Sequence, residues 1–214
     1  MRGILGAIDG THVEIIAPSV NNLEHPPFVY INRKGKHSIN VMLICDANNI
    51  IIGINARYPG SVHDAAIWQV SEIRNYLSFL ISDSGYGLEP WLLTPYANFE
   101  EGSPEEQYNM MHKSTRNVIE RTNGILKSRF CCLSRHCVLN YHPAKAAYII
   151  YSCAVLHNIA IRAKFHLDDY DEINENYEID ENDELAHPNP DVNEDIHVHA
   201  GRRIRNLYVQ QNIL

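Results

Sequence analysis

Apolar residues along this chain gather in short runs, and several of the runs stop on a turn-forming polar pair. ILGAID (residues 4–9) is a compact apolar run ending at Asp-Gly. It predicts a buried strand that closes in a turn. HSINVMLICDANN (37–49) and IIIGINARYPG (50–60) follow one another across Asn48 and Asn49, the pattern of a β-hairpin. SVHDAAIWQVSEIRNYL (61–77) has helical apolar spacing at Ala65, Ile67, Trp68, Val70 and Ile73, with Ser61 or Asp64 as the expected cap. FLISDSGYG (79–87) predicts a strand ending in Asp before Ser-Gly, and WLLTPY (91–96) one more short strand.

Residues 97–111 contain four Glu, Gly102 and Pro104, and are expected to form a loop. HKSTRNVIERTNGILKSRF (112–130) is expected to be helical. At 100° per residue, Val118, Thr122, Ile125 and Leu126 share one side, with Ile119 and Phe130 nearby. Lys113, Arg116, Glu120, Asn123 and Lys127 share the other. HPAKAAYIIYSCAVLHNIAIRAKF (142–165) predicts a long apolar helix packed on the sheet. The resulting order predicts an α/β architecture, a mixed five-stranded sheet flanked by helices.

Charge changes this picture at one place. The chain carries a net charge of -8, yet residues 168–195 hold 13 acids and no Lys or Arg. The overall acidity therefore says little about what the folded part binds. The predicted organisation is a domain over 1–166, an acidic disordered tail over 167–200, and a short C-terminal helix over 201–214. The tail's expected use is solubility.

Five unevenly spaced cysteines fit a reducing compartment better than a disulfide framework. CCLSRHC (131–137) lacks the spacing of a common zinc site, so reduced structural thiols are the expectation there. His63 and His157 are expected to be structural. No apolar run reaches the roughly 18 residues of a membrane span, so no membrane partner is expected.

The candidate chemistry lies in three carboxylates. Two predicted strands end in Asp9 and Asp83, and neighbouring strands would bring both to one sheet edge. Glu120 stands in the polar stripe of a helix whose other charges are Lys113, Arg116, Arg121, Lys127 and Arg129. Taken singly, each Asp reads more readily as turn chemistry, and Glu120 with Arg116 as an ordinary i,i+4 pair. Taken together, converging acids repel and call for a cation. Hard oxygen ligands suit Mg²⁺ or Mn²⁺, in pairs where phosphoryl groups are transferred.

The motifs AIDGTH (7–12), NRKGKHSINV (32–41), PGSVHDAAIW (59–68), SDSGYG (82–87), RNVIERTNGILKSRF (116–130) and LHNIAI (156–161) occur in that order. On them the chain resembles the PIF/Harbinger group of DDE transposases and the nucleases derived from them. The resemblance implies an RNase H-like fold and nuclease or strand-transfer activity on DNA in the nucleus. It implies Asp9, Asp83 and Glu120 as catalytic ligands of two Mg²⁺ or Mn²⁺ ions. Asp64, in the His-Asp pair of the third motif, is a rival for the second position. Arg33, Lys34, Lys36, Arg116 and Lys127 become the candidate DNA contacts. A separate Myb/SANT-like protein is a partner seen with such relatives.

Two departures stand out. Asn123 takes a place where many relatives carry an aromatic residue. Relatives also carry a helical DNA-recognising region ahead of the first strand, whereas Asp9 stands close to Met1. A fragment, a truncated copy or a gene without its DNA-reading part is therefore expected. The alternative to a nuclease is a catalytically silent, domesticated DNA- or protein-binding scaffold.

Overall fold

The computed structural model describes residues 1–76, 79–165 and 196–213. Its centre is a five-stranded mixed sheet of β1 (Gly6–Glu14), β2 (Ser38–Cys45), β3 (Ile51–Pro59), β4 (Leu80–Ile81) and β5 (Leu92–Leu93), in the order β3-β2-β1-β4-β5. β1, β2 and β3 pair antiparallel, whereas β4 and β5 add in parallel. The helices are α1 (Asp64–Val70), α2 (Pro104–Arg129), α3 (Pro143–Arg162) and α4 (Ile196–Asn212).

The expected hairpin forms at Asp46–Ile50. Asp46 Oδ1 accepts from the amides of Asn48 and Ile50. Asn49 sits at φ 60°, a conformation its short polar side chain tolerates. Every residue of β2 is buried, because both faces of this central strand are covered. Ile39, Val41, Leu43 and Cys45 face one core, shared with Ile119 and Leu126 of α2 and Ile150 and Ala154 of α3. Met42 and Ile44 face a second core built on Ile67 and Trp68 of α1. Strand parity carries this split into β1: Ala7 and Val13 belong to the first core and Ile8 to the second.

Several elements differ from expectation. β1 runs on to Glu14 instead of ending at Asp9, because β2 continues the antiparallel ladder as far as the Glu14–Ser38 pair. On its other side β1 pairs with β4 at Gly6 and Ala7 alone, so the parallel edge stops two residues before Asp9. The helix expected over 61–77 breaks at Ser71, whose extended backbone and side-chain oxygen cap a separate 3₁₀ turn, Glu72–Asn75. α2 starts at Pro104, so the second half of the expected 97–111 loop is helical. Ser103 Oγ accepts from the Glu106 amide, and Glu106 reaches back to the Gly102 amide at 2.6 Å. Pro104 follows the cap, where a missing N–H costs nothing, and Glu105 and Glu106 complement the helix dipole.

α3 is long and apolar enough, by length and composition, to cross a membrane. Here one face of it packs on the sheet. Asn158 bonds both the amide and the carbonyl of Ile51, and Tyr151 Oη accepts from the Ala56 amide. α4 begins at Ile196, ahead of the expected boundary at 201, and docks on the domain. Gly201 packs against the Glu89 backbone, Val209 is buried, and Arg205 donates to the carbonyls of Thr94 and Pro95 while lying over the Tyr96 ring. The rest of the predicted acidic tail lies outside the described residues.

Candidate active site

Asp9 stands on β1 with the parity of Ala7, so its side chain is on the α2 face of the sheet. Asp83 follows β4 by two residues. Ala7 pairs with Ile81, so the chain brings Asp9 and Asp83 to the same height on neighbouring strands, just past the end of the parallel ladder. Glu120 comes from α2 across that face. One guanidinium joins the three. Arg116 donates to Glu120 at 2.9 Å and lies 3.8 Å from Asp9 Oδ1 and 4.0 Å from Asp83 Oδ2. Asp9 is the most enclosed, with 17% of its side chain exposed against 36% for Asp83 and 44% for Glu120.

This setting acts on the Asp9 proton. Burial pushes its pKa up to about 7, with Asp83, Asp64 and Glu120 adding to the rise and Arg116 opposing it. Burial disfavours the charged carboxylate, and like charges nearby do the same. Asn123 Nδ2 reaches Asp9 Oδ2 at 3.5 Å, so the residue that departs from the aromatic pattern faces the site. Asp83 Oδ1 accepts from the Gly85 amide, which fixes the turn that presents it.

Asp64 lies on the α1 side of β1, near enough to Asp9 and Asp83 to act on them electrostatically. It is the first residue of α1, yet no side chain caps that helix; its carboxylate instead accepts from Asn40 Nδ2 at 2.5 Å. Asn40 is buried in β2 and also donates to the Val62 carbonyl at 2.8 Å. Capping therefore does not account for Asp64, contrary to expectation. Its carboxylate lies against Gly10, the β1 residue whose parity turns it toward α1; a Cβ there would overlap it. Burial raises the Asp64 pKa, Asp83 adds to the rise, and Asn40, Arg33 and His63 oppose it.

Tyr86 lies near the acids. Its ring is buried in the α1-side core, and among the described residues its hydroxyl finds no hydrogen-bond partner. Burial, then Asp64, Asp9 and Asp83, raise its pKa well above the ordinary tyrosine value, so the hydroxyl stays protonated and able to donate beside the acids. Asn40, Gly10 and Tyr86 were not singled out from the sequence. The signal for Asn40 was a lone amide inside the apolar run SINVMLIC.

The candidate DNA contacts separate into three places. Arg116 is inside the carboxylate cluster. The loop with Arg33, Lys34 and Lys36 is exposed, and Asn32 Oδ1 shapes it by accepting the amides of Lys34 and Lys36. Arg33 lies near enough to Asp64 to favour its charged form, and Lys36 pairs with Glu14 at 2.6 Å. Lys127 differs from its expected place at the surface. Its Nζ donates to Thr11 Oγ1 at 2.6 Å and to the His12 carbonyl at 3.1 Å, tying α2 to β1. Burial lowers its pKa to about 8, with Arg135 adding to the fall.

Among the described residues no three His, Cys, Asp or Glu side chains already stand in coordinating positions, here or around Cys131 and His136. The fit of a cation at the carboxylates therefore rests on the donor set. Asp9, Asp64, Asp83 and Glu120 offer oxygen alone, the neighbouring carboxylates add to the raised pKa of Asp9 and Asp64, and a single guanidinium serves three of the four. That donor set suits a hard divalent cation. His157 takes a structural place, buried and bonded to the Asn49 carbonyl, whereas His63 is exposed ahead of α1 and its side chain does not cap the helix.

Comparison with known proteins shows the family of the chain. A family model described as DDE superfamily endonuclease matches residues 8–158. The human protein named "Putative nuclease HARBI1" is 38% identical over 169 residues, which are 75% of this chain and 47% of the human one. Its Xenopus laevis counterpart is 36% identical over 168 residues, again 75% and 47%. Protein ALP1-like from Arabidopsis thaliana is 25% identical over 178 residues, 73% of this chain and 42% of the plant protein. The chain thus spans about half the length of the curated relatives it matches. No solved structure matches it. The matched segment opens beside Asp9 and contains Asp64, Asp83 and Glu120, and on that match the chain belongs to the DDE superfamily endonuclease family.

Proposed function

We propose that this chain is a divalent-metal-dependent DNA endonuclease of RNase H-like fold, with Asp9, Asp83 and Glu120 as its catalytic carboxylates. The observation that carries the reading is the reach of one guanidinium, Arg116, to acids from β1, the β4 end and α2. The strand order and directions support the fold assignment. The three acids, with Asp64 as a fourth, would hold two Mg²⁺ or Mn²⁺ ions. Such ions polarise the scissile phosphate, generate the attacking oxygen nucleophile and stabilise the leaving oxygen.

The chain's own residues have separable tasks. Asn40 orients Asp64 through its amide, and Gly10 leaves room for it. Lys127 fixes the α2 register on β1 and so sets the height of Glu120 against Asp9. Arg116 neutralises the acids until a cation takes over that task, and its guanidinium is then available to a DNA phosphate. The Arg33–Lys36 loop supplies backbone contacts beside Asp64 that carry no sequence information. Target choice would come from a separate DNA-reading protein of the Myb/SANT-like kind, and residence in the nucleus accompanies a DNA substrate.

Titration calorimetry with Mn²⁺ on the whole chain tests the site. Binding that is lost in Asp9→Asn and Glu120→Gln, with the circular dichroism spectrum unchanged, supports it. Equal binding by wild type and both variants contradicts it. A second reading, a non-cutting DNA- or protein-binding scaffold, draws on the same Arg116 contacts, since the acids already possess a counter-charge. It predicts DNA binding without Mn²⁺ uptake.

A further inference from the structure

We propose that Cys131 and Cys137 are an oxidisable dithiol, a site where the chain takes up an intramolecular disulfide by exchange with a small disulfide such as oxidised glutathione. The two sulfurs stand 3.4 Å apart. Two consecutive turns bring them together: the Ser134 amide bonds the Cys131 carbonyl at 3.0 Å, and the Cys137 amide bonds the Ser134 carbonyl at 3.2 Å. Cys131 is exposed and Cys137 half-buried, so a small oxidant reaches the first and the second lies behind it. The inference is independent of the nuclease reading.

Two of the other three thiols are held out of this chemistry. Burial pushes Cys45 up to about 11 and Cys153 up to about 12, so neither offers a thiolate near neutral pH. Cys137 is also raised, chiefly through its hydrogen bond with Cys131. Cys131, the exposed member of the pair, is the first nucleophile. The exchange runs in two displacements. The Cys131 thiolate attacks one sulfur of oxidised glutathione, forms a mixed disulfide and expels a glutathione thiolate. Cys137 loses its proton to solvent and attacks Cys131 Sγ, and the second glutathione thiolate leaves. Two protein thiols are oxidised and one glutathione disulfide is reduced to two thiols.

The position has a consequence for the neighbouring helix. The turns begin where α2 ends, and Arg135 within them lies close enough to lower the Lys127 pKa. Two residues after Cys137, the Leu139 amide bonds the Glu14 carbonyl, and the Leu139 carbonyl accepts from the Ile16 amide. A disulfide here fastens the link between the C-terminus of α2 and the end of β1.

The test is incubation of the full chain with oxidised glutathione, followed by intact mass and peptide mapping. The expected wild-type product has lost two hydrogens, carries a Cys131–Cys137 link and reverts with dithiothreitol. Cys137→Ser is expected to stop at a glutathione adduct on Cys131. A wild-type chain that keeps a stable glutathione adduct on Cys131 overturns the proposal. So does one that stays fully reduced, or that links Cys132 to Cys153 instead.

Discussion

The Asp64 carboxylate occupies the space that a side chain on Gly10 would fill. β1 therefore serves two acids at once, Asp9 through its own side chain and Asp64 through the absence of one at the next position. Gly10→Ala is expected to push Asp64 off its Asn40 contact, since both the strand and the amide are fixed in the buried sheet. Mn²⁺ affinity should fall about tenfold, near 1.4 kcal/mol, with the fold retained. Unchanged affinity, read by calorimetry, would remove Asp64 from the metal site.

Asp9 gives the metal-free protein a pH dependence of definite sign. Its folded pKa of about 7 lies above the unfolded value of 3.8, so the folded state holds the extra proton between these limits. Its contribution is therefore harmless near pH 4 and increasingly destabilising as pH rises to 7. Asp9→Asn should raise the melting temperature of metal-free protein at pH 8, by at most about 4 kcal/mol in stability. The two melting curves should converge toward pH 4. A variant less stable than wild type at pH 8 contradicts this.

Arg116 is expected to compete with a bound cation. Arg116→Met should lower the melting temperature of the metal-free chain near pH 8, because the acids lose their counter-charge. Added Mn²⁺ should then stabilise the variant more than wild type, with roughly tenfold tighter binding. Weaker Mn²⁺ binding in the variant would show that Arg116 supports the ions and does not substitute for them.

The start of α2 offers a check of the fold independent of the site. Ser103→Ala removes the oxygen that accepts the Glu106 amide and should cost about 1 kcal/mol in urea unfolding, with Mn²⁺ binding unchanged. No loss of stability would mean that the cap does not anchor the helix.

What was legible in the sequence follows from local pattern. The hairpin, the α2 polar stripe and the strand ending near Asp83 were each written in periodicity or turn residues. Glu120 and Asn123 both lie on the stripe that faces the acids, and Ile119, Thr122 and Leu126 are buried as the angular spacing requires. Long-range pairing was not legible. β1 passes Asp9 because β2 extends opposite it, and nothing in ILGAID reports that partner. The α2 start was legible in Ser103-Pro104-Glu105-Glu106, a capping sequence hidden by the Glu and Gly composition around it. Asp64 looked like a cap because its position at a helix start is local, while Asn40 and Gly10, which hold it, come from other strands. Lys127 shared the polar stripe but its long side chain turns inward to β1, a direction that angular position does not fix.

The most direct measurement is plasmid nicking by the whole chain in Mn²⁺, with wild type beside Asp9→Asn, Asp83→Asn and Glu120→Gln. The account predicts nicking by wild type, none without the metal, and a loss of at least about a hundredfold in each variant, with all four proteins equally folded. Equal nicking by wild type and the three variants would contradict it.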